Sequence, residues 1–116
     1  MSGFTETGHE LAPARVKEMV ESGEAQLIDV REPYEREAGR IAGAVHIELE
    51  RLAARSEEIA RDRPVIFQCR LGARSGLATE AFRASGYDAY NMAGGLQAWA
   101  EEGLPLEPEG GRVAEH

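Results

Sequence analysis

Short apolar runs alternate along this chain with stretches whose apolar residues recur at helical spacing, and that alternation narrows the possible folds more than any other feature. Ala25-Gln26-Leu27-Ile28-Asp29-Val30, Ala44-Val45-His46-Ile47, Pro64-Val65-Ile66-Phe67-Gln68 and Asp88-Ala89-Tyr90-Asn91-Met92 read as strands. Helical spacing is carried by Val16, Met19 and Val20, between Pro13 and Gly23. It returns with Leu49, Leu52, Ala53 and Ile59 inside 48–61, with Leu77, Ala78, Ala81 and Phe82 ahead of Gly86, and with Leu96, Trp99 and Ala100 between Gly95 and Gly103. Proline suits the first turn of a helix, where its missing N–H would be unpaired anyway, and glycine suits the left-handed residue that ends one. Residues 31–43 are charged and broken by Pro33, Gly39 and Gly43, so they read as a connection. Strands and helices in alternation, joined by short links, predict an α/β domain: a mostly parallel sheet of about five strands with helices on both faces.

The 116 residues fit one domain. Its expected extent is 10–106, with residues 1–9 a flexible arm and 107–116, marked by Pro108, Gly110 and Gly111, a flexible tail. No apolar run reaches the ~18 residues of a membrane span. Met1 to Glu10 shows no basic stretch followed by an apolar one, so a cytoplasmic protein is expected. A net charge of −8 disfavours nucleic acid and anionic membranes as partners, and a monomer is expected. Three scattered histidines and one cysteine give no metal-ligand spacing, so neither a metal nor a cofactor is expected.

Cys69 is the single cysteine, which removes any internal disulfide from the argument. A free cysteine is more often a small buried hydrophobe than a nucleophile. Its surroundings shift that balance. In open α/β sheets ligands gather outside the carboxyl ends of the strands, and Cys69 directly follows the clearest strand. Arg70-Leu71-Gly72-Ala73-Arg74-Ser75 then turns into a helix. Backbone N–H groups in such a turn converge into an anion cradle, the positive end of the helix faces the same point, and two arginines add charge. A sulfur anion on Cys69 would be stabilised there.

Three stretches in order resemble the rhodanese family, and together they run from about residue 10 to 106. Cys69-Arg70-Leu71-Gly72-Ala73-Arg74-Ser75 is similar to its active-site loop. Asp29-Val30-Arg31-Glu32-Pro33 with Gly39, Ile41, Gly43-Ala44 and Ile47 resembles its upstream signature, and Asn91-Met92-Ala93-Gly94-Gly95-Leu96 with Trp99 and Gly103-Leu104-Pro105 its C-terminal one. Arg40 and Ala42 stand where that upstream signature usually has His and Pro. The resemblance implies a rhodanese-like fold and a sulfurtransferase: Cys69 takes the outer sulfur of a small anionic donor such as thiosulfate, holds it as a persulfide, and passes it to a thiol or cyanide. A sulfur-accepting protein is an alternative acceptor.

Arg70 is expected to face solvent and meet the donor, while Arg74 either positions the donor or braces the loop through a carboxylate, as its planar fork suits. Asp29 and Arg31 read as structural support, and His46 as a core or edge residue. Two rival functions remain open. Cysteine phosphatases and arsenate reductases of related fold also combine Cys, an N–H cradle and Arg, but resemble a pattern with five intervening residues, where this chain has four. Rhodanese-like domains also serve as non-enzymatic regulatory modules, often without the cysteine.

Overall fold

The structure is a computed structural model and describes residues 9–116. The arm expected over residues 1–9 falls outside the described residues except for His9, whose carbonyl accepts a hydrogen bond from Asn91 N–H at 2.8 Å. Five strands form one sheet: β1 (Glu10–Leu11), β2 (Gln26–Asp29), β3 (Val45–His46), β4 (Val65–Gln68) and β5 (Ala89–Met92). Their order across the sheet is β1-β5-β4-β2-β3, and every pair is parallel. Four helices connect them: α1 (Pro13–Glu21), α2 (Pro33–Ala38), α3 (Ala73–Ala84) and α4 (Gly95–Glu101).

The helices divide between the two faces, as a parallel sheet requires to bury both. On one face Val16 and Met19 of α1 and Leu96 and Trp99 of α4 cover Leu27, Ile66 and Met92. On the other, Ala78 and Phe82 of α3 cover Ile28, Val65, Phe67 and Ala89. Phe82 tilts against Phe67, ring centres 5.0 Å apart, and meets the edge of Tyr87 at 4.8 Å. Each large side chain so buried contributes roughly 1.5–3 kcal/mol.

Four local expectations need correction. The buried stripe of α3 is Ser75, Ala78, Thr79 and Phe82, not the stripe through Leu77 and Ala81, and Leu77 is exposed. Ser75 and Thr79 are polar but inward, because Ser75 faces the sulfur of Cys69 and Thr79 returns a hydrogen bond to Ser75 O. The helix expected over 48–61 is two 3-10 turns, Leu49–Arg51 and Ser56–Glu58. Leu52 and Ile59 are buried there seven residues apart with no buried apolar residue between them, since Ala53 and Ala54 are exposed, too sparse a stripe to hold a continuous helix. The charged stretch after Arg31 contains α2, whose start was written in the sequence. Pro33 occupies its first turn, and Glu32 and Glu35 each bond the other's backbone N–H, a reciprocal cap.

The fourth correction is the tail. Residues 107–116 are bonded along the molecule. Arg40 and Glu107 exchange both backbone hydrogen bonds, at 2.8 and 2.7 Å, and Arg112 N–H donates to Ala38 O at 2.8 Å. Val113 packs on the core and Ala114 is buried. The approach is close enough that a Cβ on Gly39 would collide with the Arg112 backbone.

Candidate active site

The chain reverses its direction of travel across the sheet between β2 and β4. From β2 it moves out to β3, and from β4 it moves the other way, to β5. A crevice opens at the carboxyl ends of two strands whose connections diverge like this. Asp29 pairs with Gln68 at that end of the ladder, so Val30-Arg31 and Cys69 emerge side by side.

Past Cys69 the chain turns through Gly72, which caps α3 in the left-handed region at φ 108°. Non-glycine residues avoid that conformation. The turn is held from outside: Asn91 Nδ2 donates to Gly72 O at 3.1 Å, and Gly76 N–H donates to it at 2.9 Å. Thus fixed, Gly72 N–H donates to Cys69 Sγ at 3.1 Å. Ser75 adds its backbone N–H at 3.4 Å and its hydroxyl at 3.3 Å. Three donors therefore converge on one sulfur at the N-terminus of α3, and an anion is the species such a ring stabilises.

Two arginine–carboxylate pairs stand beside the loop. Arg31 and Asp29 are both fully buried, joined by Nε to Oδ1 at 2.9 Å and Nη2 to Oδ2 at 2.7 Å. Arg31 also donates to the carbonyls of Gly39 and Glu35, so its fork ties β2 to α2. Arg74 reaches out of the loop to Glu35 in a two-pronged pair, at 2.9 and 3.0 Å. Burial pushes the Glu35 carboxyl up. Its hydrogen bonds from Arg74 and from Glu32 N–H, with the charges of Arg74 and His116, outweigh burial and hold it below the ordinary glutamate range. Arg74 is pushed up in turn, chiefly by that same bond to Glu35.

Above Cys69 lies a pocket of about 270 Å³ lined by Cys69, Arg70, Leu71, Ala73, Arg74 and His116. Arg70 makes no ion pair among the described residues, and its Nε is buried without a partner. A larger hollow of about 660 Å³, lined by Leu52, Leu77, Phe82 and Tyr87 among others, is mostly apolar and holds no thiol or imidazole. Chemistry, not size, marks the smaller one. The carboxylates of Glu32, Glu48 and Glu50 come within reach of a common ion, but Glu50 is exposed, and they offer no sulfur or imidazole.

The structure gathers Cys69, Arg70, Leu71, Ala73 and Arg74 at one mouth, with Leu71 more than half exposed, while Gly72 and the buried Ser75 bond the Cys69 sulfur beneath it. Asp29 and Arg31 lie beneath it as an ion pair, and His46, on the edge strand, bonds Arg31 O through Nε2 at 2.7 Å. Sequence reasoning missed Glu35 and His116. The reciprocal cap at Glu32 and Glu35 was a usable signal for the first; nothing marked the second.

The family model for the rhodanese-like domain matches residues 12–102. The chain belongs to the rhodanese-like domain family. It is 47% identical over 76 residues to the YqhL protein of Bacillus subtilis, covering 65% of this chain and 60% of that protein, so it spans less than two thirds of that relative. It is 37% identical over 94 residues to a sulfurtransferase of Allochromatium vinosum, covering 79% of this chain and 88% of that one. Among solved structures it is similar to a rhodanese-related protein of Thermoplasma volcanium, with a TM-score of 0.79 at 31% identity, covering 84% of this chain and 96% of that one. No described helix is long and apolar enough to cross a membrane.

Proposed function

We propose that this chain is a sulfurtransferase that carries sulfane sulfur as a persulfide on Cys69. The observation that carries the reading is the convergence of Gly72 N–H, Ser75 N–H and Ser75 Oγ on Cys69 Sγ. The Cys69 thiolate attacks the outer sulfur of a thiosulfate-type donor. A new S–S bond forms, the bond to the sulfonate sulfur breaks, and sulfite leaves with the electron pair. The persulfide bears the negative charge the thiolate brought, so the same donors serve both ends of the step. A thiol, free or on a protein, or cyanide then attacks the outer sulfur, and the Cys69 thiolate returns as leaving group. Two half-reactions through one covalent intermediate give ping-pong kinetics.

The short loop argues against phosphoryl transfer. A persulfide presents one compact sulfur, whereas a phosphoryl group needs donors for three equatorial oxygens. Arg74, which a phosphate would need, is already held two-pronged by Glu35.

Incubation with thiosulfate is expected to add one sulfur atom to the intact protein, removable by cyanide, as intact mass spectrometry reads. Cys69→Ser is expected to abolish both the addition and turnover while the unfolding midpoint stays close to that of the wild type. Sulfur transfer by the folded serine variant, or phosphate-ester hydrolysis by a wild type that takes up no sulfur, would overturn the reading.

A further inference from the structure

Residues 112–116 run as a strap from the α2 end of the molecule to the mouth of the Cys69 pocket. Arg112 N–H is bonded to Ala38 O, Ala114 is buried, and the Tyr34 hydroxyl donates to Glu115 O at 3.1 Å. Tyr34 is the neighbour of Glu35, so the strap and Arg74 are anchored on the same turn of α2. The strap delivers His116 into the lining of the pocket, opposite nothing but the loop itself.

Three side chains at this mouth can carry positive charge, and they are not equivalent. Arg74 is neutralised by its two-pronged pair with Glu35. Arg70 has no carboxylate partner among the described residues. His116 makes no hydrogen bond with a described residue, and its charge reaches Glu35 only through space. The loop alone therefore offers one uncommitted cation to a dianionic donor, and the strap adds a second group whose ring N–H donates hydrogen bonds.

We propose that His116 is a donor-binding residue: together with Arg70 it holds the sulfonate oxygens of an anionic sulfane-sulfur donor while the outer sulfur meets Cys69. The proposal rests on the sulfurtransferase reading and extends it to the class of donor. Oxygens held there keep the donor's long axis pointing at Sγ, and the charge on the departing sulfite stays between the same two groups. A donor without charge gains nothing from either.

The experiment compares thiosulfate with a neutral organic trisulfide as donors to the full chain, reading kcat and KM. His116→Ala is expected to raise KM for thiosulfate about three- to tenfold with kcat within about twofold, because a contact kept from ground state to transition state appears in KM. KM for the trisulfide is expected to stay unchanged. His116→Gln, which keeps a donor but not the charge, is expected to fall between. Tyr34→Phe removes the strap's last anchor before His116, the bond to Glu115 O, without touching the pocket and is expected to reproduce a smaller, equally donor-selective rise. An unchanged KM for thiosulfate in His116→Ala, or equal shifts for both donors, would overturn the assignment while leaving the persulfide reading standing. A wild type loaded by the trisulfide and not by thiosulfate would do the same. A wild type that takes sulfur from neither donor would overturn both.

Discussion

Two strand-to-helix turns of this domain are built alike and used differently. After β4 and after β5 the chain leaves the carboxyl edge of the sheet, passes a left-handed glycine and enters a helix. In the first turn Gly72 (φ 108°) sends N–H groups of the α3 end toward Cys69 Sγ. In the second, Gly94 and Gly95 (φ 73° and 63°) open α4, and its first N–H groups go to backbone: Leu96 to Cys69 O at 2.8 Å and Gln97 to Arg70 O at 3.0 Å. One helix N-terminus faces the sulfur, and the other grips the carbonyls of the residues that carry it. A helix start has no chemistry of its own. What it faces decides whether it stabilises an anion or braces a loop, and here the second role makes the first precise.

The glycines show the same division. A Cβ on Gly95 would strike the Arg70 carbonyl and lie 2.6 Å from Cys69 O. A Cβ on Gly72 would meet nothing closer than 3.7 Å. Gly95→Ala is therefore expected to have the largest effect on stability, about 3–5 kcal/mol, because left-handed strain of ~1–3 kcal/mol adds to an overpacking of similar size. The urea midpoint reads it. A loss below about 1 kcal/mol would show that α4 can withdraw from the loop and that the brace is dispensable.

Glu35→Gln is expected to come next, at about 2–3 kcal/mol, since it leaves a half-buried Arg74 without its counter-charge. Its pH dependence sharpens the test. A carboxyl held below its ordinary range contributes stability that is full at neutral pH and is lost as pH falls through the folded-state value. The wild-type advantage over Glu35→Gln is thus expected to shrink below about pH 4.5, the ordinary value for glutamate. An advantage that stays constant into strong acid would mean that the variant is destabilised by packing and not by charge.

The first turn was legible in the sequence with its chemistry, and the second only as two glycines leading from a strand into a helix, for a physical reason. Cys69 follows the strand run Pro64 to Gln68 with its apolar centre Val65-Ile66-Phe67, and Gly72 and the arginines give the loop a local chemistry that spacing alone exposes. The parallel sheet was legible for a similar reason: strand runs and helical stripes are local patterns, and the order of the alternation leaves few ways to pair them. Glu35 and His116 lie 34 residues before and 47 after Cys69 in the chain. They reach the site only because the sheet brings α2 beside the loop and the strap crosses back over it. No periodicity encodes a meeting of that kind. Composition also misled at 107–116, where prolines and glycines read as looseness, while Gly39 and Gly111 let that segment lie close against the body.

Gly72→Ala tests the sulfur-facing turn itself. With space around the site, only backbone strain opposes the methyl, and a loss of about 1–3 kcal/mol is expected. Relaxing that strain rotates the Gly72 N–H away from Sγ, so kcat/KM with thiosulfate is expected to fall by more than tenfold. A variant that loses stability but keeps its activity would remove Gly72 N–H from the ring of donors.

Ser75→Ala is expected to change stability least, and it separates the ring's chemistry from the fold's. The serine is fully buried, but its hydroxyl bonds only sulfur, a weak acceptor, at 3.3 Å, and its backbone N–H keeps its own approach at 3.4 Å after the change. A loss of about 0.5 kcal/mol is expected, the low end for a neutral hydrogen bond. Against a sulfur anion the same hydroxyl is worth more, ~1.5 kcal/mol, which is about tenfold in rate. Activity is thus expected to fall about tenfold while the urea midpoint barely moves. The opposite outcome, a stability loss matching Gly72→Ala with turnover intact, would make Ser75 a packing residue. The ring would then be reduced to its two backbone N–H groups, and α3 would serve Cys69 much as α4 serves the loop, by position alone.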